Sequence, residues 1–212
     1  NHPTEIPFDV ESIEGPYDIP SNWRWAKLED IANYGGRGNV LPLSIRKSDW
    51  ILDLEDIEKS TSRLLQKVRA SDRKTTSNKA SFEPNDVLYG KLRPYLDKVV
   101  VADEPGFCTT EIVPITPLSG IDSYWLRLSL KSPRFIKYVS EKSYGMKMPR
   151  LGTKDAKVSI HAVPPLAEQV RIVAKVDELM TLCDQIEQQL KARDDLAVRW
   201  AASIVHHIGD AA

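Results

Sequence analysis

The hydrophobic pattern is most regular near the C-terminus of the chain. From Leu166 to about His207 the sequence contains neither proline nor glycine. Apolar residues recur there at steps of three and four residues, with Arg193 in the single gap. We call the following positions the helix seam: Ile172, Val176, Leu179, Cys183, Ile186, Leu190, Ala197, Trp200 and Ile204. This a/d pattern predicts a coiled-coil helix of roughly 40 residues, about 60 Å long.

The helix seam predicts a partner for this helix. A globular domain of about 150 residues does not need so long a helix for its own core, and the sequence predicts no second long helix to cover the seam. The alternative is an amphipathic helix that packs against its own domain. We favour the first interpretation and expect the helix to bind a partner.

The residues before this helix are expected to form one mixed α/β (α+β) domain. Residues 1–18 are polar, acidic and rich in proline, which predicts an extended lead. Residues 19–163 are expected to be globular, and residues 164–212 to form the helical segment. Strand-like alternation begins at Trp23, and a short helix over 28–32 is predicted to end at the pair Gly35-Gly36.

The middle of this domain is predicted to alternate strands with turns. Residues 71–81 show no apolar period and are predicted to be a loop. Pro133 divides residues 123–142 into two short helices, with Ser132 as the N-cap of the second. Strands are predicted at 86–89, 98–102, 107–115 and 158–163. Because proline cannot donate to a sheet, Pro114 marks its strand as an edge strand or a strand end.

Composition narrows the class of protein. The chain has 212 residues, of which 42% are hydrophobic and 28% charged, which is too apolar for a wholly disordered chain. No apolar stretch approaches the roughly 20 residues that span a bilayer, and the start has no signal-peptide pattern. Because it also lacks an initiator Met, we expect a trimmed chain or a piece of a longer one. Cys108 and Cys183 match no metal-ligand spacing and are interpreted as cytosolic thiols.

The net charge of −1 hides an uneven distribution. Residues 63–98 hold 9 basic and 4 acidic side chains, and residues 127–157 hold 9 basic and 2 acidic ones. Both ends are acidic, with net charges of −6 over 1–62 and −3 over 158–212. Two basic zones favour a polyanionic partner such as DNA, and the alternative is that they are merely solvated surfaces.

Catalytic and cofactor motifs are not found. The sequence has no phosphate-binding G-x-x-x-x-G-K-[ST] loop and no G-x-G-x-x-G turn, and Gly35-Gly36-Arg37-Gly38 is interpreted as a tight turn. His161 is interpreted as a partly buried strand residue, not as a metal ligand. The segment 83–86 could belong to a nuclease, but a turn before a strand is favoured. We therefore expect no catalytic residue, no metal and no cofactor.

Two loops combine basic residues with glycine and aromatic residues. The first basic loop (residues 91–98) and the second basic loop (residues 144–154) follow or precede predicted strands. We predict that both contact DNA, since lysine suits phosphates. The candidate DNA-binding residues are Lys91, Arg93, Lys98, Tyr144, Lys147, Arg150 and Lys154.

Two questions about the second basic loop stay open at this level. Arg150 could bind the O6 and N7 atoms of guanine, anchor a phosphate or stabilise the loop itself. Met146, Met148 and Leu151 could instead be core residues, and this is the favoured interpretation for Met148.

Four segments of the sequence resemble the specificity subunits of type I restriction–modification enzymes. Residues 19–25 resemble the opening of a target-recognition domain, and residues 86–95 resemble the signature in the middle of that domain. Residues 109–114 resemble the strand that follows, and residues 164–173 resemble the entry to the spacer helix. The resemblance covers residues 19 to about 205, but residues 36–80 match no segment that can be named.

The resemblance implies a fold and a role. It implies a recognition domain followed by a long helix that pairs antiparallel with a second copy or with the second half of a full-length subunit. It also implies double-stranded DNA, a methyltransferase subunit and a restriction subunit as partners in the cytoplasm, with no chemistry performed by this chain and no membrane contact. The chain contains one such half, so a half-subunit and a fragment both remain open. The alternatives are a coiled-coil adaptor without DNA contact and a stand-alone methyltransferase or nuclease.

Overall fold

The computed structural model describes residues 13–74 and 76–209, and their side chains as far as residue 200. The chain forms two compact units, one ending at Val170 and the other beginning at Arg171. The helices are α1 (Leu28–Ile31), α2 (Ser123–Leu130), α3 (Pro133–Lys142), α4 (Thr153–Lys157) and α5 (Leu166–Gly209). The strands are β1 (Arg24–Lys27), β2 (Ala32–Tyr34), β3 (Asn39–Val40), β4 (Trp50–Leu52), β5 (Val68–Arg69), β6 (Lys79–Phe82), β7 (Val87–Gly90), β8 (Val99–Val101), β9 (Gly106–Thr109), β10 (Ile112–Pro117) and β11 (Ile160–Val163). This mixed domain followed by a long helix confirms the predicted fold class.

The described strands form three sheets. β1 pairs with β11, a second sheet has the order β2-β10-β7-β8, and a third has the order β3-β6-β9-β4-β5. Side chains from the second and third sheets share one core cluster, which contains Trp50, Leu52, Ile57, Phe82, Leu88, Val100, Ala102, Cys108 and Ile112. The edge-to-face contact between Trp50 and Phe82, with ring centroids 5.0 Å apart, lies in this cluster. The first basic loop, which joins β7 to β8, therefore begins and ends on strands that contribute to this core.

The two predicted short helices are confirmed. The Ser132 side chain accepts a hydrogen bond from the backbone N–H of Phe135, and Pro133 occupies the first turn of α3. Asp122 plays the same role for α2, because its carboxylate accepts from the N–H of Trp125. Gly35 has a φ of +74°, so the turn after β2 needs the conformational freedom of glycine there.

The short helix predicted over 28–32 ends at Ile31, and β2 lies between it and the pair Gly35-Gly36. Two other predicted elements were wrong as well. The predicted strand 107–115 is two strands, because the polar residues Thr110 and Glu111 form a turn between β9 and β10, which join different sheets. The predicted loop 71–81 is too long by three residues, since Lys79 to Ser81 pair with β9 as part of β6. In both places a long-range pairing decides the structure, and a local apolar period does not reveal it.

Pro114 lies inside β10, which pairs with β7 on one side and, from Ile115 onward, with β2 on the other. The prediction of an edge strand or a strand end was therefore wrong. The carbonyl of Pro114 accepts from the N–H of Gly35, 2.9 Å away, but Pro114 has no N–H to donate in return. On the other side it lies opposite Leu88 of β7. Pro114 thus lies where the pairing with β2 ends. Because no further residue of β2 pairs there, the absence of an N–H on Pro114 costs no sheet hydrogen bond.

The long helix is confirmed, since α5 spans 44 residues and is about 66 Å long. Along the helix seam, Ile172 and Val176 are half-buried, and the residues from Leu179 to Trp200 are exposed. The exposed fractions of Leu179, Ile186 and Leu190 are 49%, 56% and 45%. The side chain of Ile204 lies outside the described residues.

Candidate nucleic-acid interface

The structure brings the two basic loops together. The backbone N–H of Arg93 donates to the carbonyl of Pro149 at 2.7 Å, and the N–H of Leu151 donates to the carbonyl of Lys91 at 3.1 Å. Leu92 and Arg150 form an isolated antiparallel bridge between the same two loops. Segments that lie more than fifty positions apart in sequence therefore form one surface.

The second basic loop closes on itself. The N–H of Tyr144 donates to the carbonyl of Arg150 at 3.1 Å, and the N–H of Arg150 donates back at 2.9 Å. We call residues 145–149, which lie between this pair, the loop tip. Gly145 has a φ of +101°, a conformation that side-chain-bearing residues rarely adopt, so glycine is needed at the first position of the loop tip.

Arg150 stabilises the base of the loop tip. Its Nη2 donates to Glu111 Oε1 at 2.9 Å, and its Nε lies 3.1 and 3.0 Å from the two carboxylate oxygens of Glu111. The hydrogen-bonded carboxylate raises the pKa of Arg150. Of the three roles considered from sequence, this geometry favours loop stabilisation, and the contact to guanine stays a prediction.

The remaining candidate DNA-binding residues differ in whether other parts of the domain bind their side chains. Among the described residues, no acidic side chain forms an ion pair with Lys91, Arg93, Lys147 or Lys154. Lys147 and Lys154 are exposed. Lys98 points elsewhere, because its Nζ donates to the carbonyl of Leu54 at 2.6 Å and burial lowers its pKa. Lys154 lies on α4 and not in a loop as predicted. Tyr144 is 63% exposed.

The apolar residues of the second basic loop do not behave alike. Leu151 is buried, as a core residue would be. Met146 and Met148 are exposed, so the favoured interpretation of Met148 as a core residue was wrong. The reason is the closure of the loop by the Tyr144–Arg150 pair, which directs Leu151 inward and keeps the loop tip outside the core.

Sequence reasoning missed a buried polar cluster beside this surface. Asp86 is buried, and its carboxylate accepts from the Arg37 guanidinium at 2.5 Å, from the Thr116 hydroxyl at 2.7 Å and from the Glu83 N–H at 2.9 Å. The cluster fixes the glycine turn after β2, which lines a 330 Å³ cleft together with Lys91. A lone aspartate directly before the apolar strand Val87–Gly90 is the sequence signal that could have indicated it.

Many cations of the first basic zone are neutralised within the domain. Lys67 Nζ lies 2.7 Å from Asp103, Arg69 lies 3.0 Å from Glu104, and Arg73 pairs with the buried Asp56. Burial alone would raise the pKa of Asp56, but the hydrogen bonds from Arg73 and its other partners together lower it. Lys91 and Arg93 are among the cations of this zone that form no ion pair within the described residues, and Lys74, Lys79 and Lys98 are the others.

The first turn of α5 is anchored by Gln169. This buried side chain donates to the carbonyls of Gly120 and Pro164 at 3.1 and 2.9 Å, and it accepts from the N–H of Asp122 at 2.8 Å. The hydrogen-bonding groups of its side-chain amide, both N–H and C=O, thus have partners.

Within the described residues no group of His, Cys, Asp and Glu could hold a metal ion. In the same part of the chain, no helix is long and apolar enough to cross a membrane.

Comparison with known proteins shows which family of proteins this chain belongs to. The chain belongs to the family of the type I restriction modification DNA specificity domain, whose model matches residues 20–193. This confirms the family that the four sequence segments indicated.

Individual relatives agree with the family. The chain is 29% identical to the type I restriction enzyme EcoDI specificity subunit of Escherichia coli, over 90% of this chain and 43% of that protein. It is 27% identical to the EcoAI specificity subunit of the same species, over 85% of this chain and 32% of that protein. The chain thus spans less than half the length of these curated relatives.

A solved structure shares the fold. The HsdS subunit from Thermoanaerobacter tengcongensis superposes with a TM-score of 0.69 and 21% identity, over 86% of this chain and 48% of that chain. At this identity the likeness is one of fold. It includes the mixed domain and the long helix that follows.

Proposed function

We propose that this chain binds a specific sequence in double-stranded DNA and directs separate methyltransferase and restriction subunits to it. The observation that carries the proposal is the surface formed by the two hydrogen-bonded basic loops, where Lys91, Arg93, Lys147 and Lys154 have no acidic partner among the described residues. Lysine and arginine side chains that bind DNA phosphates release the counterions condensed on the DNA, which favours binding. The family supports the role in target recognition.

The proposal gives the chain a binding role and no reaction of its own. The methyltransferase and restriction subunits would supply the chemistry, in the cytoplasm where the DNA lies. The exposed helix seam would pair with a second copy of this chain or with the other half of a longer subunit. Neither arrangement requires a cofactor bound to this chain.

Fluorescence anisotropy with labelled duplex DNA at two salt concentrations tests the DNA contact. The double variant Lys147→Ala with Lys154→Ala should weaken binding about equally on all sequences and lower the salt slope by about one unit for each phosphate that the variant no longer neutralises. The matched control removes two lysines from the long helix, Lys175→Ala with Lys191→Ala, and should leave the slope unchanged.

Two results would contradict the proposal. If the unmodified chain binds no duplex at low salt, the adaptor without DNA contact becomes the better interpretation. If the loop variant binds as tightly as the unmodified chain, the second basic loop is not part of the interface.

A further inference from the structure

The loop tip presents one apolar side chain entirely to solvent. The exposed fraction of Met146 is 103%, so it makes no appreciable contact with the rest of the protein. A single exposed apolar residue is ordinary on a protein surface. Met146 differs from such residues in the structure that holds it and in the charges that surround it.

The structure below Met146 is held at four points. The Tyr144–Arg150 pair closes the loop, and Arg93 binds Pro149 through the backbone. The Arg150 guanidinium binds Glu111, and Leu151 is anchored in the core with 2% of its surface exposed. Because the base is fixed, the backbone of the loop tip cannot collapse onto the domain without breaking these contacts.

Basic residues flank Met146 in the chain and lie at the base of the loop tip. Lys147 follows it directly, Lys142 lies in the last turn of α3, and the backbone bonds place Arg93 beside Pro149 at the base of the tip. A protein partner with an apolar pocket would have to desolvate these charges. Duplex DNA can contact both the basic residues and the apolar side chain, because its phosphates lie outside and its stacked apolar base faces lie inside.

We propose that Met146 inserts between two stacked base pairs of the bound DNA and kinks the duplex at that step. This inference rests on the proposed DNA binding and deepens it. Apolar wedges, methionine among them, are used in this way by proteins that bend DNA while basic side chains hold the flanking phosphates. An unbranched, flexible side chain enters a gap between bases with little steric demand.

A mismatch scan tests the insertion. The duplex is the one that the unmodified chain enriches from a random pool, and a mismatched pair is moved through it one position at a time. Because a mismatch lowers the cost of unstacking in advance, the unmodified chain should bind about tenfold more tightly when the mismatch lies at the inserted step. Met146→Ala should bind the matched and the mismatched duplex equally.

The control in the same loop is Lys147→Ala, which should weaken binding to both duplexes and leave their ratio at about ten. A 2-aminopurine base at the identified step should brighten on binding of the unmodified chain and stay dark with Met146→Ala. If Met146→Ala keeps the mismatch preference, or if no position shows one, the insertion is wrong and DNA binding stands. If neither duplex binds, the proposed function fails together with the insertion.

Discussion

At the scale of single residues, the acidic partner decides what each arginine of the interface is able to contact. Arg150 directs its guanidinium at Glu111, and Arg37 directs its own at Asp86. Arg93 has no such partner among the described residues and adopts a left-handed backbone with a φ of +50°. That conformation is unfavourable for a side-chain-bearing residue, and the bond from its N–H to Pro149 holds it in place.

The pairing of Arg150 with Glu111 leads to a prediction about DNA binding. If Arg150 acts by holding the loop, then Arg150→Ala, Glu111→Ala and the double variant should weaken DNA binding by the same factor, because each removes the same ion pair. The anisotropy assay used for the lysine variants measures all three. A guanine contact would instead cost Arg150→Ala about 1–3 kcal/mol on the target sequence alone, with Glu111→Ala far milder.

His161 leads to a second prediction at this scale. Its ring is buried, with Nδ1 2.7 Å from Ser129 Oγ and Nε2 3.0 Å from Ser159 Oγ. Burial and the nearby Arg134 lower the pKa of His161 to about 3. The unfolded chain, whose histidine has its ordinary pKa, therefore takes up a proton as the pH falls below about 6.5 while the folded chain does not.

The free energy of unfolding should therefore decrease, by about 1–2 kcal/mol from this group alone, between pH 6.5 and pH 5. Urea unfolding at several pH values measures the slope, with His161→Gln as the variant that cannot titrate. The absolute stability of the variant is immaterial, since the comparison is one of slopes. Equal slopes for the two proteins over this window would mean that His161 titrates normally in the folded state.

At the scale of elements, the features that depend on neighbouring residues in the sequence could be predicted, and those that depend on distant residues could not. The Ser132-Pro133 start of α3 and the length of α5 could be predicted because capping and heptad spacing depend on neighbouring residues. The break between β9 and β10 could not, since it depends on which sheet each strand joins. The Arg37–Asp86 and Arg150–Glu111 pairs join residues 49 and 39 positions apart, and no periodicity reveals them.

Gln169 leads to a prediction about how α5 begins. Gln169→Ala would leave the buried carbonyl of Pro164 and the N–H of Asp122 without their partner, and each unsatisfied buried group costs about 1–3 kcal/mol. Urea unfolding of the domain should show this loss. The matched control is Glu168→Ala, which removes an exposed hydrogen bond from Asn22 at 3.3 Å and should change stability little. Equal effects of the two substitutions would show that the Gln169 contacts do not stabilise the domain.

At the scale of the whole molecule, charge and apolar surface are distributed along different parts of the chain. The net charge of −1 combines basic zones before residue 158 with an acidic C-terminal segment. Lys91, Arg93, Lys147 and Lys154 lie on the two basic loops, whereas a series of exposed leucine and isoleucine residues lies on the helix seam. This separation is what a protein needs if it binds DNA with one part and a protein partner with another.

The helix seam leads to the last prediction, which concerns assembly. We expect the isolated chain to self-associate through residues 172–204, because burying each large apolar seam residue contributes on the order of 1.5–3 kcal/mol. A twofold antiparallel pair is the expected form, since closed twofold symmetry is the most common arrangement of identical chains. Leu179→Asp with Ile186→Asp would place charges in the seam and should convert the pair to monomers while the N-terminal domain stays folded.

Sedimentation velocity at micromolar concentration measures this association. The control carries the same two added charges on the opposite face of the same helix turns, as Thr181→Asp with Gln188→Asp, and should sediment like the unmodified chain. A monomeric unmodified chain would contradict self-association, and mixing it with the methyltransferase subunit would then show whether that protein covers the seam. If the control dissociates as readily as the seam variant, added charge alone is the cause and the seam has no special role.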